Sequence, residues 1–306
     1  MSQSQMHALH DLLRRSPLDF GADVVKARAV FHEMISHQSI PSDVRTNEVV
    51  RGGVPCVEVS AGEHVDAVTL LYFHGGAYAV GSAADSVGLV SDIARRAGAL
   101  AYAVEYRLAP ENPYPAAVDD ALAAYRGLLD TGVDPASVAM VGESAGGGLA
   151  LALLLRIRDE GLPMAAAAVV LSPWADLTMS GASLAAKAQA DPALTADALA
   201  LRARSYLAGA APAGAYASPA LADLHGLPPL LIQAGSAEIL LDDAVRLAAR
   251  AAADEVAVTL EVFPGAPHVF QGFAAALDEG GIALDHVGEF LRARLGARQV
   301  IEGEQS

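Results

Sequence analysis

Apolar and polar positions along this 306-residue chain fall into two alternating textures. Short, nearly unbroken apolar runs recur: "AVTLLYFHGG" (67–76), "LAYAVEYR" (100–107), "SVAMVGES" (137–144), "AAAVVLSP" (166–173), "PLLIQAGS" (229–236) and "VAVTLEVFPG" (256–265). Most lack the alternation of a sheet with one wet face, so they read as strands buried on both sides. Segments 85–98, 115–132, 145–161, 242–255 and 281–296 carry helical periodicity instead, several with a proline or an acidic residue at the start and glycine at the end. This alternation predicts a mostly parallel, doubly wound sheet with helices on both faces and a ligand site at the carboxyl ends of the strands.

Two stretches break the pattern. Residues 1 to about 45 read as helices with no strand partner, and residues 174 to about 216 insert a mainly helical piece between two strands. Helical pieces that interrupt a sheet at its functional edge commonly form a lid or cap. The expectation is one domain with a cap.

Composition narrows the functional classes. Hydrophobic residues make up 53% of the chain, but alanine supplies much of that, which argues for dense helices. The longest apolar run, "MAAAAVVL" from Met164, is too short to span a bilayer, and the opening segment lacks the apolar core of a secretory signal, so no membrane association and a cytoplasmic location are expected. Cys56 is the only cysteine. It allows no internal disulfide and no cysteine-based metal framework, and reads as a small buried hydrophobe. Acidic residues outnumber basic ones by 36 to 20, a formal charge of −16, which disfavours nucleic acid and leaves a neutral small molecule as the default partner.

The candidate chemistry begins at "GESAGG" (142–147), a GxSxG pattern between a predicted strand and a predicted helix. Such a corner exposes the Ser144 hydroxyl at the rim of the sheet, and the helix after it offers backbone N–H groups where an oxyanion would form. By itself the pattern fits a small-residue packing turn equally well. No P-loop or dinucleotide fingerprint is present. A serine nucleophile needs a histidine and an acid. His268 follows the last strand on a loop rich in glycine and proline, and Glu238 lies just beyond the strand before it, giving the chain order serine, acid, histidine. Asp242 and Asp243 are alternative acids, but they open a helix, where aspartate more often acts as an N-cap. After the strand ending at Phe73, the "HGGAY" loop provides candidate oxyanion donors: Gly76 and Ala77 together with Ala145, and Gly75 as a further participant. His74 is expected to anchor that loop. His7 and His10 share one helical face, His32 and His37 lie in the same N-terminal region, and His64, His225 and His286 lack a histidine or carboxylate at metal-ligand spacing; all seven are expected in solvated or structural roles.

Five ordered motifs carry a resemblance: "HGGAY" at 74, "EYRLAPENPYPAAVDD" at 105, "GESAGG" at 142, "GLPPLLIQAGSAEILLDD" at 226 and "PHVFQGF" at 267. The chain resembles the hormone-sensitive-lipase-like α/β-hydrolases over roughly residues 45–295. The resemblance implies an eight-stranded sheet, residues 1–45 as a cap segment, residues 46–306 as the hydrolase domain with the insertion at about 174–216, and no metal or organic cofactor. It implies hydrolysis of carboxylic esters by Ser144, Glu238 and His268; taken with the acidic charge, the expected substrates are small, neutral esters with short to medium acyl chains, and an amidase, a lactonase or a non-catalytic binding protein on the same fold are the alternatives. Ala77, Glu143 and Glu238 depart from the family's commonest residues, a third glycine and two aspartates. Arg107 and Glu111 are expected to brace the oxyanion loop from behind. Tyr78, Trp174, Tyr206 and Met34 are candidates for an acyl pocket or for the core. The last strand could pair with a second copy in a homodimer, though its alternation also suits an ordinary edge.

Overall fold

The computed structural model describes residues 3–36, 40–62 and 65–295; His37 and His64 lie outside them. Eight strands form one sheet in the order β1-β2-β4-β3-β5-β6-β7-β8. They are β1 (Val44–Arg51), β2 (Val54–Ala61), β3 (Val65–Phe73), β4 (Ala99–Val104), β5 (Val138–Glu143), β6 (Ala167–Leu171), β7 (Leu230–Gly235) and β8 (Val258–Phe263). β2 runs antiparallel to both β1 and β4, and all other pairings are parallel.

The central strands are the ones the apolar runs predicted. β6 and β7 are buried at every position, because helices cover both faces of a parallel sheet and leave no side for polar residues. α3 (Val87–Ala97) and α9 (Asp278–Leu295) pack on one face through Val90, Ile93, Leu284, Val287 and Leu291. α4 (Ala116–Leu129), α5 (Ala145–Asp159) and α8 (Leu241–Ala253) cover the other through Val118, Leu122, Leu149, Leu153 and Leu247. β1 has no counterpart among the apolar runs. Its residues, "VRTNEVVR", are exposed or half-exposed throughout, so it has no apolar run to betray it. β8 stands at the opposite edge with a mixed burial pattern.

Beyond the sheet, α1 (Gln3–Arg14) and α2 (Val24–Ser36) precede β1, while α6 (Ser183–Ala186) and α7 (Ala196–Leu207) occupy the stretch between β6 and β7. Among the described residues, no helix is long and apolar enough to cross a membrane. Cys56 is buried, and burial pushes its thiol up to about 11, so it packs as a hydrophobe.

Candidate active site

The β5–α5 corner is built from close backbone contact. A Cβ on Gly142 would lie 2.2 Å from the Gly146 carbonyl oxygen, and one on Gly146 would lie 2.0 Å from that of Phe73 at the end of β3. Only glycine lets these segments touch. Ser144 sits between them at φ 52 and ψ −122, a strained conformation for a residue with a side chain. Its N–H donates to the Leu171 carbonyl at 2.8 Å and its carbonyl accepts from the Trp174 N–H at 2.9 Å, so β6 and the turn after it hold the corner in place.

Ser144 Oγ lies 2.9 Å from His268 Nε2, and His268 Nδ1 lies 2.6 Å from Glu238 Oε2. The carboxylate fixes the tautomer: Nδ1–H donates to Glu238, leaving Nε2 to accept from the serine. Glu238 is fully buried, and its other oxygen accepts from the Gly235 N–H at 2.7 Å and the Ser172 hydroxyl at 2.9 Å. Ser172 also accepts from the Val269 N–H at 3.1 Å, tying the acid loop to the histidine loop. Burial works against a charged His268, but the hydrogen bond and charge of Glu238, helped by the charges of Asp191 and Glu143, outweigh it and raise the imidazole above its ordinary range.

Opposite the serine runs the loop after β3. A Cβ on Gly76, at φ 107, would meet the Val80 carbonyl oxygen at 2.1 Å, and Ala77 follows at φ 53, accepting a left-handed conformation despite its methyl group. No acceptor within the described residues pairs with the N–H of Gly76 or Ala77. Ala145, as the first residue of α5, has no carbonyl behind it within the helix. Gly75 differs. Its N–H donates to Glu143 Oε1 at 3.2 Å, so the expected donor set contracts to Gly76, Ala77 and Ala145. Burial raises the Glu143 carboxyl, against the pull of that bond. His74 anchors the loop by donating from Nδ1 to the Gly75 carbonyl at 2.7 Å, and burial lowers its pKa to about 4, which keeps it neutral.

Other expectations shift to new places. The brace behind the loop is Tyr106, stacked on His74 at 4.2 Å and donating to the His74 carbonyl at 2.7 Å. Arg107 instead grips Asp120 of α4, and Glu111 pairs with Arg28 of α2. Asp242 and Asp243 do not cap α8: they accept from the N–H groups of Ser183 and of Ala175 and Asp176, pinning the segment after β6. Tyr78, Trp174 and Tyr206 lie in the core, with Tyr78 and Tyr206 stacked at 3.9 Å. Of the four candidates for the acyl pocket, Met34 alone lines the cavity. That cavity, of about 170 Å³, opens onto Ser144 and His268 between Leu13, Phe31 and Met34 from the N-terminal helices and Leu194 and Leu199 from the insertion. Among the described residues, no group of three histidine, cysteine or carboxylate side chains could hold a metal ion.

An eight-stranded, mostly parallel sheet carrying a serine on a strained strand-to-helix corner defines an α/β-hydrolase. The profile of a family described as alpha/beta hydrolase fold matches residues 70–272. An acetyl-hydrolase of Streptomyces hygroscopicus is 48% identical over 76% of this chain and 77% of its own. An esterase of Acinetobacter venetianus is 37% identical over 72% and 73%. The crystal structure of an esterase from the bacterial hormone-sensitive lipase family superposes with a TM-score of 0.93 at 40% identity, covering 96% of this chain and 99% of that one. The chain belongs to the hormone-sensitive-lipase-like family of α/β-hydrolases.

Proposed function

We propose that this α/β-hydrolase is a serine carboxylesterase acting on small, neutral esters with short to medium acyl chains. The observation that carries the reading is the hydrogen-bonded line from Ser144 through His268 to Glu238. Ser144 Oγ attacks the ester carbonyl as His268 takes its proton, and Glu238 orients and stabilises the imidazolium. The N–H groups of Gly76, Ala77 and Ala145 receive the negative charge of the tetrahedral oxygen, and each donor of this kind contributes about 2.7–4 kcal/mol to the transition state. His268 then protonates the departing alcohol. Water, activated by the same histidine, releases the acyl group from Ser144.

Support comes from the apolar lining of the cavity beside Ser144, which suits an uncharged acyl group, and from relatives described as an acetyl-hydrolase and an esterase. The helices before β1 and the insertion at 174–216 act as the cap that shapes this cavity. The −16 charge of the chain favours neutral over anionic substrates. A series of chromogenic esters with lengthening acyl chains tests the proposal alongside Ser144→Ala. The native protein is expected to turn over the short members, the variant to lose at least ~10⁴-fold in kcat, and an organophosphate to label Ser144. Equal rates for the two proteins, or a label elsewhere, would overturn it.

A further inference from the structure

Asp191 lies in the insertion, in no motif, yet its carboxylate touches both the substrate cavity's wall and the loop of the acid. It is 8% exposed. One oxygen accepts from the N–H groups of Ala193 at 2.8 Å and Leu194 at 2.9 Å, both of which line the cavity beside Ser144. The other accepts at 2.8 Å from the N–H of Ile239, the residue directly after Glu238. Glu238 is thus restrained from two directions. Gly235 and Ser172 bond its carboxylate, and Asp191 bonds the backbone one residue on.

We propose that Asp191 is a positioning residue for the hydrolytic site: it locks the loop of Glu238 to the cavity wall and sets a second buried negative charge behind the His268–Glu238 pair, stabilising the imidazolium that forms when Ser144 is deprotonated. The inference rests on reading Ser144, His268 and Glu238 as the reacting groups. A carboxylate is required because each oxygen faces N–H donors. An asparagine would keep one acceptor but turn its NH₂ group toward the Ile239 N–H, setting donor against donor. The charged groups bearing on the imidazole are Glu238 after β7, Asp191 from the insertion and Glu143 at the end of β5; Asp85 and the neutral His74 border the same cavity. Losing one of the three negative charges destabilises the imidazolium, so the neutral form of His268 persists to lower pH.

The test compares Asp191→Asn, Asp191→Glu and Leu194→Ala with the native protein on one short-chain ester, with rates expressed per site titrated by an organophosphate at Ser144. That normalisation removes any misfolded fraction. Asp191→Asn is expected to lower kcat about tenfold or more with KM within about threefold, and to move the acid limb of kcat/KM down by about half a pH unit. Asp191→Glu, which keeps the charge but displaces the oxygens, should lose kcat while its acid limb stays with the native one. Leu194→Ala should raise KM and leave the limb unmoved. A native kcat and limb in the asparagine variant, or an equal shift of the limb in the glutamate variant, would overturn the proposal. If native Ser144 resists labelling and no ester is turned over, the reading of the site fails first, an outcome distinct from active enzyme indifferent to Asp191.

Discussion

The corner that carries Ser144 and the helices that overlie it are built on opposite principles. At the corner the backbone itself is the constraint. α5 is buried along nearly its whole length, and Gly142, Gly146 and Gly148 sit where any side chain would strike a carbonyl oxygen within 2.2 Å. Of the overlying helices, the two before β1 bury little: Leu9 in α1 and Ala27 in α2. Side-chain hydrogen bonds to and from neighbouring segments help hold them in place. His10 bonds the Gly265 carbonyl at 2.9 Å, Arg202 of α7 bonds the Phe20 carbonyl at 2.7 Å, and His32 bonds Asp85 at 2.8 Å. Bond-making is thus assigned to the part of the molecule that cannot adjust, and the shape of the cavity to a part held by few, separable ties.

The strongest way to break this contrast is to place a methyl group at the corner. Gly146→Ala would bring a Cβ to 2.0 Å from the Phe73 carbonyl oxygen and 2.5 Å from that of His74, forcing β3 and α5 apart. The expected cost is at least about 3 kcal/mol of stability, with loss of ester hydrolysis. Gly272, which also borders the cavity just after His268, has an ordinary φ and open space for 4 Å around the place a Cβ would take. Gly272→Ala should change stability by no more than about 0.5 kcal/mol. Denaturant titration of both variants decides the matter. Similar losses would show that glycine as such, and not close approach, is what the corner needs.

A gentler probe is pH. His268 must be neutral to accept the serine proton, and its pKa is raised by the bond and charge of Glu238 outweighing the effect of burial. Activity should therefore fall as pH drops through a value above about 6.5, the ordinary histidine value. The linkage to folding has the opposite sign. The folded state binds this proton more tightly than the unfolded chain, so the histidine's contribution to stability is full below the ordinary value and is lost as pH rises through the raised one. A pH–kcat/KM profile with its acid limb at or below 6.5 would mean that burial dominates at the site.

What the sequence made legible follows the same division. The parallel strands appear as apolar runs because both their faces are covered, and Ser144, Glu238 and His268 can be found because each sits on the turn after a strand in a fixed order. β1 is invisible because an exposed outer strand needs no apolar residues. Ser172, Tyr106 and Asp191 are invisible for another reason. Their partners, Glu238, His74 and Ile239, lie 66, 32 and 48 residues away, and serine, tyrosine and aspartate are unremarkable where they stand in the chain. Periodicity encodes burial. It does not encode which polar groups meet across elements, and for that reason Asp242 and Asp243 read as helix caps when they bond a different segment.

The smallest expected effect tests the other half of the contrast. Arg28 of α2 donates to the Ala79 carbonyl at 2.8 Å, to the Ala109 carbonyl at 3.0 Å, and to both Glu111 oxygens at 2.9 and 2.7 Å. Its bond holds the Glu111 carboxyl below the usual range. Both side chains remain partly in solvent, so the ion pair itself contributes no more than about 1 kcal/mol. The two carbonyl bonds matter more for geometry, since they fix α2 above the loop that begins at His74. Arg28→Ala should therefore leave the fold nearly as stable and kcat within about twofold, while KM rises about three- to tenfold as Phe31 and Met34 lose their set position at the cavity. Steady-state kinetics on a short-chain ester separates the two terms. Should kcat fall as far as KM rises, the helices would belong to the bond-making apparatus and the division between fixed corner and separable cover would not hold.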